Sequence, residues 1–341
     1  MELGTRTGAN DSVATAYSRT GRPTVSRKGL NEPADPPASR FKPILFLSFS
    51  LALAVYWCVQ SGGVASGLFS AAPLIALSLG RFYGVRHPVP APEVLVFIYP
   101  ISAQLIFYWM DRARIQAYDE FLLAFDRNYG YAEMLVGKLA RYEWVRQAFG
   151  WQYLSLMLAL ILLYLVLPEA ARMKFIVSVS LAAVIIVPLY MLCPGAGPIY
   201  LLQCFPCAIP DLAHPHPTIL HALLNTTPSG HVAWALLLFW FARRYCGRLC
   251  WILAGIYLAM TCITTLGLGE HYIIDLVLSV PFAAGIQALA YKQWRCAGIS
   301  MLVVIVWLLM LRGPALAMPP AVAWILTAIT MVPIPAVLRT T

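Results

Sequence analysis

The sequence predicts an all-α protein, a polytopic membrane helix bundle of about ten transmembrane helices, and three observations carry that prediction. Of 341 residues, 60% are hydrophobic and only 11% charged, where a soluble domain carries about a quarter charged residues. Apolar runs long enough to cross hydrocarbon recur between residues 44 and 338. Lys and Arg gather in alternate connections between those runs, as they do in cytoplasmic loops. A soluble globular enzyme is excluded, and the net charge of +9 reads as an orientation signal before it reads as nucleic-acid binding.

Residues 1–42 hold Pro, Ser, Thr, Gly and charges without an apolar stretch. They lack a signal-peptide core and cannot bury one of their own, so a disordered cytoplasmic tail is expected. The membrane domain is expected over 43–341, with spans near 44–60, 64–80, 93–110, 152–168, 173–192, 230–242, 248–266, 272–291, 298–311 and 319–338. The runs at 230–242 and 298–311 are short for a helix that needs about 20 residues to span. With the tail inside, the inner segments hold 17 of the 24 basic residues and 6 of the 15 acidic ones. The inner face then carries +11 and the outer face −2. Both termini are expected to be cytoplasmic in a multi-pass cell-membrane protein.

Residues 111–149 form an outer segment with six basic and six acidic side chains, too polar to span. Leu135, Leu139, Tyr142, Val145 and Phe149 recur at helical spacing beside Trp144 and Trp151. This suits a helix lying in the membrane interface, and equally an amphipathic helix packed on the bundle.

Ionisable groups at the edge of a membrane bundle are costly and therefore candidate functional groups. Two clusters qualify: Thr227-Pro228-Ser229-Gly230-His231 at the start of one span, and Gly269-Glu270-His271-Tyr272-Ile273-Ile274-Asp275 at the start of another two spans on. Topology returns both to the outer face. In the first, Ser229 is a plausible N-cap, the free N–H groups behind it can bind an anion without Lys or Arg, and Gly230 admits close approach of a phosphate. His231 can then exchange a proton with the bound group. In the second, His271 and Asp275 stand four apart, which on a helix places both on one face. Asp275 would fix the tautomer and leave the other ring nitrogen basic, the logic of a histidine nucleophile or base. A capped helix with an interfacial histidine and a structural His-Asp pair account for the same residues without chemistry. Cys204, Cys207, His214, His216 and His221 allow a zinc site to be drawn, but their spacing matches no common zinc pattern. A loop disulfide or two free thiols fit those cysteines as well. No metal and no cofactor is expected.

Pro228-Ser229-Gly230-His231, followed by His271 with Asp275 four positions on, resembles the second and third signature motifs of the type-2 phosphatidic acid phosphatase superfamily. Gly269-Glu270-His271-Tyr272-Ile273-Ile274-Asp275-Leu276 is similar to the branch that contains inositol phosphorylceramide synthases and their bacterial relatives. Asp119-Glu120-Phe121-Leu122-Leu123-Ala124-Phe125-Asp126 is similar to that branch too. The resemblance covers about residues 93–291 and implies a six-helix phosphatase-like core there. It implies that His271 attacks phosphorus, Asp275 orients it, His231 protonates the departing alkoxide, and Ser229 and Gly230 hold phosphoryl oxygens. Pro194-Gly195-Ala196-Gly197-Pro198-Ile199-Tyr200 occupies the place of the first motif, with Tyr200 as a substrate-binding candidate. The chain departs from the fuller signature in two ways: residues 193–229 hold no Lys or Arg, and Thr265 stands where an Arg precedes the third motif. Arg112, Arg114, Lys138, Arg141, His214 or His216 would have to supply any cation.

The expected function is that of an integral-membrane lipid phosphatase or phosphotransferase, an inositolphosphotransferase-like enzyme working at the outer leaflet through a phosphohistidine. Its expected partners are a phospholipid or polyprenyl-phosphate substrate and a lipid or polyol acceptor, with no nucleic acid. The alternative is a membrane transporter or lipid flippase without hydrolytic chemistry, although transporter sites usually lie at the midplane.

Overall fold

The structure is a computed structural model that describes residues 113–202, 204–206, 212, 214–220, 222, 224–313 and 318–331. The expected tail and the first three expected spans lie outside the described residues. So do the last residues of the tenth expected span, together with Arg112, Cys207 and His221.

The described chain is helical, and no strand element occurs among the described residues. Its helices are α1 (Asp119–Asp126), α2 (Ala132–Gly137), α3 (Glu143–Leu154), α4 (Leu156–Val166), α5 (Glu169–Leu192), the single turn α6 (Pro198–Leu201), α7 (Gly230–Tyr245), α8 (Arg248–Gly267), α9 (Ile273–Ala290), α10 (Trp294–Met310) and α11 (Pro320–Met331). Three of them, α5, α8 and α9, are long and apolar enough to cross a membrane, and α3 with α4 makes a fourth if that bent pair is one span. Helices α10 and α11 are apolar but shorter.

The core forms around α7 and α9. Almost every α7 side chain from Val232 to Ala242 is buried, and on α9 Ile274, Leu278, Phe282 and Ile286 are fully buried. A helix apolar all round belongs at the centre of such a bundle. By contrast, Leu253 and Ile256 of α8, Leu302 of α10 and Ile325 of α11 are exposed, the surface that lipid tails would cover. Cross-links fix the directions. Ser229 at the head of α7 donates its N–H to the Asp275 carbonyl near the head of α9 at 3.2 Å, and Tyr245 and Tyr291 share a hydrogen bond of 2.7 Å at their far ends. The two helices are thus parallel. Lys174, in the first turns of α5, lies over the Tyr291 ring at 4.4 Å, so α5 runs against them.

The span expected near 152–168 falls on a pair of helices bent by 45°. Ser155 stands at the break, its hydroxyl donating to the Gln152 carbonyl at 2.7 Å and lying 3.0 Å from the Tyr257 hydroxyl of α8. A serine that bonds the preceding turn bends a helix. The apolar stripe expected across 135–149 also proves discontinuous, because a 3₁₀ turn at Leu139–Arg141 separates α2 from α3. Leu135, Leu139 and Tyr142 are exposed, whereas Phe149 is buried with its ring over Gly267.

Candidate active site

Both sequence clusters fall at one end of the core, at the N-termini of α7 and α9. Their helix starts are built differently. At α7, Ser229 is the N-cap and its hydroxyl oxygen accepts from Val232 N–H at 3.4 Å. The N–H groups of Gly230 and His231 have no acceptor among the described residues, which leaves two donors at the positive end of the helix.

At α9 every early donor is taken. Asp275 Oδ2 accepts from Tyr272 N–H at 2.8 Å. Asp126, at the end of α1, accepts from Ile273 N–H at 2.5 Å and from Ile274 N–H at 3.2 Å. The Tyr272 hydroxyl donates to Asp119 at 2.8 Å. An anion therefore finds free donors at α7 and not at α9.

His271 and Asp275 do meet, but not through the expected helical spacing. Helix α9 begins at Ile273 with Tyr272 as its cap, so His271 precedes the helix, in a connection that turns at Gly269 with φ of +72°. His271 Nδ1 lies 3.4 Å from Asp275 Oδ2 and 3.1 Å from the Thr226 carbonyl oxygen. A carbonyl only accepts, so this bond requires the proton on Nδ1 and leaves the lone pair on Nε2. The Thr226 carbonyl thus holds the tautomer more closely than the carboxylate does. Asp275 is itself held by the Thr227 hydroxyl, which donates to Oδ1 at 2.5 Å.

Two further ties join the clusters, since the Ser279 hydroxyl lies 2.9 Å from the Ser229 carbonyl and 2.7 Å from that of Asp275. His231 is half-buried, its ring stacked on Tyr153 of α3 with centroids 3.7 Å apart and planes 23° from parallel. The bend at Ser155 lies two residues beyond that tyrosine. Gly230 has a packing reason in addition to the expected one: a Cβ there would come within 3.1 Å of the Tyr190 hydroxyl and 3.3 Å of Ile186.

Tyr200 stands on α6, exposed, beside the turn that carries His271. Ile199 N–H donates to the Gly269 carbonyl at 3.0 Å. Gly197, with φ of +104°, has no room for a Cβ because the Glu270 and Gly269 carbonyls would lie within 2.7 Å of it. Burial, with Glu270 adding a smaller effect, raises the Tyr200 phenol above its ordinary value.

Three acids outside the two histidine clusters belong to this end of the bundle. Asp119 and Asp126 of α1 and Glu133 of α2 are fully buried. Burial pushes Asp119 up to about 6 against the lowering effect of its hydrogen bonds, and raises Asp126 well above the carboxylate range. Glu133 rises to about 7, again through burial first. Neither Glu133 oxygen finds a donor among the described residues, while Asp126 lies beside it.

None of the described outer cations bonds a residue of the two histidine clusters. Arg141 donates to the Pro206 carbonyl at 2.6 Å, Arg146 pairs with Glu143, His216 pairs with Glu120 at 2.9 Å, and Arg312 lies over the Tyr118 ring and donates to its hydroxyl. Cys204 is disulfide-bonded and His214 and His216 are exposed.

A family model described as the PAP2 superfamily matches residues 120–289, the segment from α1 to the end of α9 that holds both clusters. No curated protein and no solved structure matches the chain. Over residues 120–289 the chain is similar to the PAP2 superfamily, whose members are phosphatases or phosphotransferases.

Proposed function

We propose that the protein is an integral-membrane phosphatase or phosphotransferase of the inositol phosphorylceramide synthase-like branch, acting on a phospholipid or polyprenyl-phosphate ester through a phosphohistidine on His271. The observation that carries this reading is the hydrogen bond from His271 Nδ1 to the Thr226 carbonyl, which keeps the Nε2 lone pair available for attack. In the first step Nε2 bonds phosphorus, the bond from phosphorus to the leaving oxygen breaks, and His231 gives that oxygen its proton. In the second, water or an acceptor hydroxyl attacks the phosphohistidine, its proton passes to His231, and His271 is regenerated. The free N–H groups of Gly230 and His231, with Ser229 beside them, hold the phosphoryl oxygens. Tyr200 flanks the bound headgroup.

In this reading the full chain has about ten spans with a six-helix core. The site faces the outer leaflet, opposite the end where Arg172, Lys174, Arg243, Arg244, Arg248, Lys292 and Arg295 collect. That clustering supports a cytoplasmic assignment for the basic end, and the apolar exposed helices support a substrate that enters laterally from lipid.

The test is to incubate purified protein with phosphorus-labelled lipid phosphate esters, quench in denaturant and look for an acid-labile label on the protein. Wild type is expected to carry label on His271, and His271→Ala to carry none and to turn nothing over. His231→Ala is expected to form the adduct slowly from alkyl esters. An unlabelled wild type during turnover, with His271→Ala still active, would overturn the reading.

A further inference from the structure

We infer that Asp119 and Asp126, two turns apart on α1, are positioning residues that hold the His271 segment and the Pro194–Gly197 loop in their working geometry. Seven residues bring a helix back to nearly the same face, so both carboxylates project from one side of α1. Each takes a different backbone segment. Asp119 accepts from Ala196 N–H at 3.0 and 2.9 Å, from Gly197 N–H at 2.7 Å and from the Tyr272 hydroxyl at 2.8 Å. Asp126 accepts from the first two N–H groups of α9. His271 is the residue before Tyr272, so the nucleophile is suspended from a turn whose next three residues all bond to α1.

The arrangement also sorts charge. Helix α9 starts with donors that would attract an anion. Occupied by Asp126 and Asp275, they are withdrawn, and the phosphoryl group is left with the open donors of α7. A phosphoryl group at α9 would be displaced from Nε2 and would face two carboxylates. Asp119 and Asp126 act through His271 and the loop, and they touch no reacting atom.

The inference rests on the phosphohistidine reading of His271, and its test separates the two. Asp126→Ala, Asp126→Asn and Asp119→Ala would be made in the full chain and studied by amide hydrogen exchange and by turnover of labelled lipid phosphate. In Asp126→Ala, exchange at Ile273 and Ile274 is expected to accelerate while α5 stays protected. Its kcat is expected to fall about 100-fold, the cost of a nucleophile displaced by about 1 Å. KM should stay within about twofold. Asp126→Asn keeps one acceptor oxygen and is expected to recover part of kcat, so it carries the test if the alanine variant does not fold.

Unchanged exchange at Ile273 and Ile274, or unchanged kcat per folded molecule despite faster exchange, overturns the inference and leaves the proposed reaction standing. If wild type forms no phosphohistidine with any ester, the functional reading fails alone. The inference is then judged by the rate at which diethyl pyrocarbonate modifies His271. A changed rate in Asp126→Asn supports it, and an unchanged rate overturns it.

Discussion

The Thr227 hydroxyl donates to Asp275 Oδ1 at 2.5 Å, and the Thr226 hydroxyl lies 3.1 Å behind it. Thr227, which begins one cluster, therefore anchors the carboxylate that ends the other, 48 positions away. Thr227→Val keeps the shape and removes the donor. A hydrogen bond to a charged group contributes about 1.5–3 kcal/mol, so kcat is expected to fall about 10- to 100-fold, and Thr227→Ser to retain most activity. Wild-type turnover by the valine variant would show that Asp275 needs no such anchor.

The stack of Tyr153 on His231 gives a leaving-group test. If His231 protonates the departing oxygen, its ring must be held at a fixed angle, and Tyr153 is the plane against which it lies. Tyr153→Leu is expected to slow hydrolysis of alkyl phosphate esters by about tenfold or more, within the usual range for general acid catalysis. Aryl esters, whose phenolate departs without a proton, should be far less affected. An equal loss on both classes would place Tyr153 in folding or binding instead.

The order of helices was readable because lipid and core both demand long apolar runs, and the two histidine clusters were readable because ionisable groups are conspicuous in such a chain. The details were set by partners distant in sequence. His271 lies before α9 because Asp126 and Asp275 cap that helix from Ile273 onward. No spacing rule within the cluster could reveal Asp126, 147 residues upstream of Ile273. A signal did exist: in Asp119–Asp126 the two terminal acids enclose mostly apolar residues, and seven-residue spacing puts them on one face. The bend at Ser155 left no such trace, since its hydroxyl is held partly by Tyr257 of α8.

The exposed apolar residues of the outer segment predict a second dependence on lipid. Leu135, Leu139, Tyr142 and Trp144 are between 52% and 73% exposed, with Lys138 and Arg141 interleaved among them. Such a surface fits the membrane interface. Leu139→Glu with Tyr142→Glu is expected to reduce turnover of a long-chain substrate in anionic vesicles while sparing a short-chain soluble ester in detergent. Trp144 fluorescence should be quenched by brominated lipid. Absence of quenching, with unchanged turnover on both substrates, would return the segment to a purely structural role.

The buried acids give stability a sign against pH that is opposite to the usual carboxylate. Asp119 rises from 3.8 to about 6 and Glu133 from 4.5 to about 7. Between the unfolded and folded values the native protein binds protons that the unfolded chain does not. Stability therefore falls as pH rises through that window. The contribution is complete below about pH 4 and lost by about pH 7 to 8. Of the acids that face Glu133, ionised Asp275 pushes in the same direction, whereas the hydrogen bond with Asp126 works against it. The melting temperature of the purified protein is expected to fall between pH 5 and pH 8 by an amount that Glu133→Gln reduces. The amide cannot ionise beside Asp126, so its native state loses nothing on crossing pH 7. A variant whose melting temperature follows pH as steeply as wild type would mean that Glu133 is not the group that releases the proton.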